Sequence, residues 1–239
     1  MAVAVLFDLE DTLVQTPWAD HQHVIEFRRK TKEKLIALGM PPSVFEGIER
    51  ATIMRNKSIE YMEKNFAKAS TEKVYREMEK FLSRYELDSA KRSRLFPETI
   101  PTLEELRKLG IKLGLVTNTS MKAVETVFQL HGLKSYFDVA VTREKLKKLK
   151  PDPEGILLAV KKLGANGFFM VGDLVHDATA ARYANGISII VKRSPEEKMD
   201  FEADFFVHSL SEVPTIIRAE MRRTQCLQWR RLRKATNKM

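Results

Sequence analysis

Cysteine is nearly absent: Cys226 is the only one in 239 residues. No internal disulfide can form, and nothing in the composition argues for an oxidising compartment. Long apolar runs are missing as well. No stretch approaches the roughly 20 residues that a membrane-spanning helix needs. The short apolar start meets Asp8 with no basic segment before it, unlike a secretory signal. There is no internal repeat and no low-complexity tract. These absences lead us to expect a cytoplasmic protein that works away from membranes. Acidic residues are scarce in one place only. From Arg218 to Met239 eight Lys/Arg meet a single acid, Glu220, so this tail holds +7 of the chain's net +9. The other 217 residues, with 33 basic and 31 acidic side chains, carry only +2. The basicity belongs to a tail and not to the fold. With 44% hydrophobic and 31% charged residues, the chain reads as globular, with room for one large domain or a core and a smaller one.

What is present is an alternation. Residues 2–13 read AVAVLFDLEDTL, six apolar residues that stop at three acids. An apolar run of that length predicts a buried strand with its acids at the sheet rim, where open α/β folds hold ligands. From Thr16 to about Phe96 the pattern turns helical. Val24, Phe27, Thr31, Leu35 and Leu38 recur at helix spacing, as do Val74, Met78, Phe81 and Tyr85. Ser43 with Glu46 fits a capping box ahead of Ile48, and no strand is expected in this stretch. A second capping box, Thr102 with Glu105, opens a short helix that Gly110 stops. Strand and helix then alternate. IKLGLV runs into Thr117, a helix spans Met121 to His131, and FDVAV leads to a charged loop ending at Lys150. A helix follows Pro153, FFMVG runs into Asp173, and an Ala-rich helix ends near Asn185-Gly186 before ISIIV and DFFV. The expected fold is α/β, a doubly wound, Rossmann-like, mostly parallel sheet with an all-helical domain inserted. Residues 1–16 and 96–239 would form the core, with 218–239 a basic helical extension, and 17–95 the insertion.

Three polar groups share one context: Asp8, Thr117 and Asp173 each follow an apolar run. In parallel strands joined by right-handed crossovers, such strand ends meet at one edge of the sheet. Lys150 can enter the same crevice, and Asp177 lies one helical turn beyond Asp173. Crowded carboxylates repel one another, and a divalent cation or a proton in flight would reconcile them. The set suits phosphoryl transfer. Asp8 can attack phosphorus, and Glu10 can protonate the leaving oxygen and later take a proton from water. Asp8 and Asp173 can hold Mg²⁺, while Thr117 and Lys150 bind the phosphoryl oxygens.

These residues resemble the four motifs of the haloacid dehalogenase superfamily, in the family's order. The first looks like FDLEDTL, the second like VTNTS, the third like Lys150 in KPDP and the fourth like VGDLVHD. The resemblance covers the core, and the insertion sits where one class of members carries a helical cap. It implies Asp8 as nucleophile, Glu10 as acid/base, and Thr117, Asn118 and Lys150 as phosphate ligands. It implies a Mg²⁺ site from Asp8, Glu10 (through its backbone carbonyl), Asp173 and Asp177, and a small phosphorylated metabolite as substrate. The family's phosphatases usually carry Asp where this chain has Glu10, and Gly where it has Asp11. The added methylene moves the proton-carrying group by about 1 Å, and misplacement on that scale can cost on the order of 100-fold. Asp11 suits a turn that requires positive φ.

Other features read more plainly. His21 and His23, two apart on a helix, point in different directions and are not expected to bind a metal. Met40, Met54, Met62 and Met78 fit core filling, and Trp18 fits packing. In the tail, Met221, Cys226, Leu227, Trp229 and Leu232 are interleaved with arginines, as in a helix packed on its own domain. The leading reading is a Mg²⁺-dependent phosphatase. A 2-haloacid dehalogenase or phosphomutase of the same family is the runner-up, and a non-catalytic RNA-binding protein that uses the basic tail is the reading from another class.

Overall fold

A computed structural model describes residues 2–17, 21–194 and 200–223. The elements are β1 (Val3–Phe7), β2 (Val14–Gln15), α1 (His21–Ala37), α2 (Ala51–Asn65), α3 (Lys68–Lys91) and β3 (Arg94–Leu95). They continue as α4 (Thr99–Lys108), β4 (Lys112–Val116), α5 (Met121–His131), β5 (Val139–Val141), α6 (Glu154–Leu163) and β6 (Gly167–Gly172). The series closes with α7 (Val175–Tyr183), β7 (Ile187–Val191), β8 (Phe205–Val207) and a helix α8 over 213–223. Six strands form one sheet in the order β5-β4-β1-β6-β7-β8, and every pairing is parallel. The chain therefore starts in the middle of the sheet, fills one side of β1 and returns to fill the other. The fold is the α/β, Rossmann-like one expected.

Strand alternation divides the core into two layers. Val5 and Phe7 of β1 pack with Leu113, Leu115, Phe169 and Val171 beneath α4, α5 and α8, which add Leu103, Leu106, Val124, Val127 and Ile217. Ala4, Leu6 and Met170 face the opposite way, against Ile156, Ala159 and Leu163 of α6 and Ala180 and Ala181 of α7. Each fully buried Leu or Phe here contributes roughly 1.5–3 kcal/mol. The second layer is tight: a Cβ on Gly114 would lie 2.7 Å from the Leu6 side chain and 3.2 Å from that of Leu163.

The helices between β2 and β3 have an apolar centre of their own. Leu35, Phe45, Leu82 and the methionines Met40, Met54, Met62 and Met78 are buried there, as core filling requires. Three local expectations are corrected. Ser43 and Glu46 do not cap an α-helix. Pro42–Phe45 form a single 3₁₀ turn, Gly47 follows at φ 68°, and α2 begins only at Ala51. Thr102 does not start α4, which begins at Thr99; the buried Thr102 hydroxyl has no hydrogen-bond partner among the described residues. Finally, β3 is a strand within the stretch read as purely helical. It pairs antiparallel with β2, and two residues are too short to show a period. Trp18 and residues 224–239, with Cys226, Leu227, Trp229 and Leu232, lie outside the described residues, as do the side chains of His21 and His23. Within α8, Met221 packs on the core and Arg218 pairs with Glu105. Among the described residues no helix is long and apolar enough to cross a membrane.

Charged pairs tie the helical segment to the sheet. Arg143, after β5, is buried and donates to Glu79 at 2.5 Å, to Ser83 at 3.0 Å and to Glu86. Glu86 also accepts the Ser120 backbone N–H at 3.0 Å. Arg55 of α2, likewise buried, donates to Glu79 at 2.9 Å and to the Lys147 carbonyl at 3.1 Å. Asn56 makes two 3.0 Å hydrogen bonds with the backbone of Leu149.

Candidate active site

The carboxyl ends of β1, β4 and β6 bring together the residues singled out in the sequence. Asp8 follows β1 and its N–H still bonds the Val171 carbonyl at 2.9 Å, which fixes its backbone to the neighbouring strand. Thr117 follows β4 in the same way, its N–H on Val141 at 3.1 Å. Lys150 arrives from the loop ahead of α6. Its ammonium donates to Asp8 Oδ1 at 2.7 Å, Asp177 Oδ1 at 2.6 Å and the Val116 carbonyl at 2.9 Å, so all three of its donors are used. The carboxamide of Asn118 grips the Lys150 backbone on both sides, accepting from its N–H at 3.0 Å and donating to its carbonyl at 3.1 Å. Asp177 is buried and accepts the Leu174 N–H at 3.1 Å. Asp173, half-buried, accepts a hydrogen bond from Thr12 at 3.3 Å.

One carboxylate oxygen from each of Asp8, Asp173 and Asp177 lies within 4.8 Å of the others. Three acids against one lysine leave a surplus of negative charge. Burial raises the Asp8 pKa to about 6, with Lys150 opposing the shift and Asp177 adding to it. Burial likewise holds Asp173 well above the usual carboxylate range, helped by repulsion from Asp177 and Asp8. For Lys150 burial disfavours the charge, but Asp177 and Asp8 outweigh it and raise its pKa above that of ordinary lysine. A divalent cation would cancel the surplus of two. Oxygen-only donors of this kind suit a hard ion such as Mg²⁺, so the residues fit one.

Glu10 takes a separate direction. Its Oε2 accepts a 2.6 Å hydrogen bond from Thr119, toward a small cavity of about 100 Å³ that Glu86 also lines. Burial lifts its pKa to about 8; the Thr119 hydrogen bond opposes this, and Glu86, Asp8 and Asp11 add to it. Asp11 adopts φ 55°, the positive value its place in the turn suggested, and its carboxylate accepts from the Thr16 N–H at 2.9 Å.

A cavity of about 350 Å³ opens above this floor. Its far wall comes from α1 and the start of α2, with Val24, Phe27, Arg28, Arg50 and Thr52, and His176 stands at the side. Burial and the nearby charge of Arg50 hold the His176 imidazole down to about 4, so it is neutral near pH 7. A groove of about 530 Å³ between α2, α3 and residues 144–147 is larger, but it touches none of the strand-end residues.

The profile of the haloacid dehalogenase-like hydrolases matches residues 3–185. The chain belongs to that family. More narrowly, it falls in the phosphatase-like branch. The hydrolase is 27% identical over 225 residues to the pyrophosphatase PpaX of Oceanobacillus iheyensis, covering 89% of this chain and 95% of that one. It is 29% identical over 187 residues to the phosphoglycolate phosphatase of Agrobacterium fabrum, covering 75% and 76% of the two. Among solved structures, a HAD phosphatase from Thermococcus onnurineus superposes with a TM-score of 0.58 at 27% identity, covering 91% of this chain and 98% of that one.

Sequence reasoning missed several residues around the site. Arg193, just beyond β7, donates to the carbonyls of Asp11 at 3.0 Å and Thr12 at 2.9 Å. It pairs with Glu98 at 3.1 Å and stacks 3.5 Å above the Phe96 ring. It follows an apolar run as Asp8 and Asp173 do, and that signal could have found it. Thr119 sits inside the VTNTS motif, yet nothing in the motif says that it holds Glu10. His176 lies within VGDLVHD beside Asp177, whereas Arg28 and Arg50 reach the cavity through tertiary packing alone.

Proposed function

We propose that this hydrolase is a Mg²⁺-dependent phosphatase that cleaves a small phosphate monoester through a phosphoryl group carried on Asp8. The observation that carries the reading is the convergence of Asp8, Asp173, Asp177 and Lys150 at one sheet edge, next to a second acid with a raised pKa. The phosphatase and pyrophosphatase among its relatives support a reaction at phosphorus.

In this reading a carboxylate oxygen of Asp8 attacks phosphorus, and the bond from phosphorus to the ester oxygen breaks. Glu10, which burial keeps protonated, gives its proton to the departing oxygen. Its carboxylate then takes a proton from the water that attacks the phosphoryl group, and Asp8 is returned. The Lys150 ammonium places its charge beside the phosphoryl oxygens, Thr117 donates to one of them, and Asn118 holds the Lys150 backbone in register. Asp177 keeps the Lys150 ammonium charged and aimed. Asp8, Asp173, Asp177 and the backbone carbonyl of Glu10 would hold Mg²⁺, which supplies positive charge for the phosphoryl oxygens. Residues 17–95 would serve as a cap over the core of 1–16 and 96–239, shielding the reaction from bulk water.

Phosphate release from an aryl phosphate tests the reading. Activity should require Mg²⁺, vanish in EDTA and fall on the order of 10⁴-fold or more in Asp8→Asn. Activity that survives either change contradicts it.

A further inference from the structure

The wall of the cavity facing the carboxylates carries two cations of its own, set apart from the floor that would take the phosphoryl group. On the floor, three carboxylates, Lys150 and a divalent ion sum to zero before substrate enters. Across the cavity, α1 and the residue ahead of α2 add the guanidinium groups of Arg28 and Arg50. Arg50 forms no ion pair among the described residues. The carboxylate next to Arg28 is Glu49 at 4.0 Å, and the Glu49 side chain is 86% exposed, so water screens that pair. The arginines used for packing behave differently. Arg55 and Arg143 are each matched by buried or nearly buried carboxylates of α3. This fold neutralises the cations it encloses, yet leaves two at the mouth of the site. Val24 and Phe27 on the same wall lower the local dielectric, which strengthens any anion contact.

We propose that Arg50, assisted by Arg28, binds a second anionic group on the leaving side of the substrate. The favoured substrates are then small phosphate esters whose leaving group bears a carboxylate or another phosphate a few bonds from the ester oxygen. A cavity of about 350 Å³ confines the leaving group to a small one. Either anion offers oxygens that a guanidinium can grip with two parallel hydrogen bonds. The inference rests on the phosphatase reading and adds to it the substrate class and the residues that select it.

The test compares kcat/KM for four esters with Mg²⁺: phosphoglycolate, ethylene glycol bisphosphate, ethylene glycol monophosphate and p-nitrophenyl phosphate. The first and third are of similar length and differ in the carboxylate. At least one of the two anionic esters should exceed ethylene glycol monophosphate by on the order of 10–100-fold. Which one exceeds it more tells whether the carboxylate or the phosphate is the better fit, and either result supports the proposal. In Arg50→Met that ratio should fall toward one, and in Arg28→Met it should fall by a smaller factor. Lys57→Met, on an exposed part of α2, should leave the ratio as it is. Equal rates for anionic and neutral esters, or a ratio that persists in Arg50→Met, overturn the proposal while the phosphatase reading stands. No phosphate release from any of the four esters overturns both.

Discussion

Replacing Glu10 by glutamine removes an ionisation that the folded chain resists. An unfolded chain titrates this carboxyl near 4.5, whereas in the fold burial raises it to about 8, with Thr119 opposing and Glu86 adding to the shift. Between those two values the folded protein holds a proton that the unfolded chain has lost. Stability contributed by this group is therefore full below about 4.5, falls as pH rises through the window, and is flat above about 8. One unit corresponds to about 1.4 kcal/mol, so at pH 7 the ionisation costs the fold on the order of 3 kcal/mol. Glutamine is neutral throughout, and its carboxamide oxygen can still accept from Thr119. Glu10→Gln should thus be more stable than the parent at pH 7 by roughly 3 kcal/mol, or about 6–12 °C in Tm for a chain of this size. The gain should shrink toward zero at pH 5, and phosphatase activity should be largely lost in the same variant. Urea unfolding in EDTA across pH 5 to 8 measures it. A glutamine variant no more stable at pH 7, or a gain that does not change with pH, refutes the reasoning.

Three further substitutions probe the surroundings. Arg143→Met leaves Glu86 without its cation, while Glu79 keeps Arg55, and should cost on the order of 3–5 kcal/mol, read as a fall in the urea midpoint. Gly172→Ala would put a Cβ 2.2 Å from Asp177 Cγ, displacing the carboxylate that aims Lys150. Phosphatase kcat should fall by on the order of 100-fold while far-UV circular dichroism is retained. Arg193→Met releases the carbonyls of Asp11 and Thr12, and with them the turn that carries Glu10. Its kcat should fall about tenfold or more with KM little changed, and an unaltered kcat would show that the turn holds without it.

Much of this fold was legible because its strands are continuous apolar runs that end in polar residues. The helix Met121–His131 was read with its observed bounds, since Ser120 accepts the Ala123 N–H at one end and Gly132 takes φ 68° at the other. Asp8, Thr117 and Asp173 were legible for a related reason, since strand ends in a parallel sheet must meet, and Lys150 and Asp177 join them from the loop ahead of α6 and the first turn of α7. Ser43 and Thr102 misled because a hydroxyl followed three residues later by Glu is a local pattern. Gly47 and the earlier start at Thr99 override it. The clamp of Arg193 and the pairs of Arg55 and Arg143 join residues from about 20 to more than 180 positions apart, which no local pattern encodes. The direction of Glu10 depends on Thr119 in another strand's loop, and the charge above the site depends on how α1 and α2 lie over the sheet.

The most direct measurement is the covalent state of Asp8 during turnover. Acid-quenched enzyme, taken seconds after mixing with substrate and Mg²⁺, should yield a peptide containing Asp8 whose mass is increased by one phosphoryl group. The adduct should be absent from Asp8→Asn and from samples mixed in EDTA. Turnover of substrate by the parent protein with no adduct on Asp8, or with the phosphoryl group on another residue, would contradict the account.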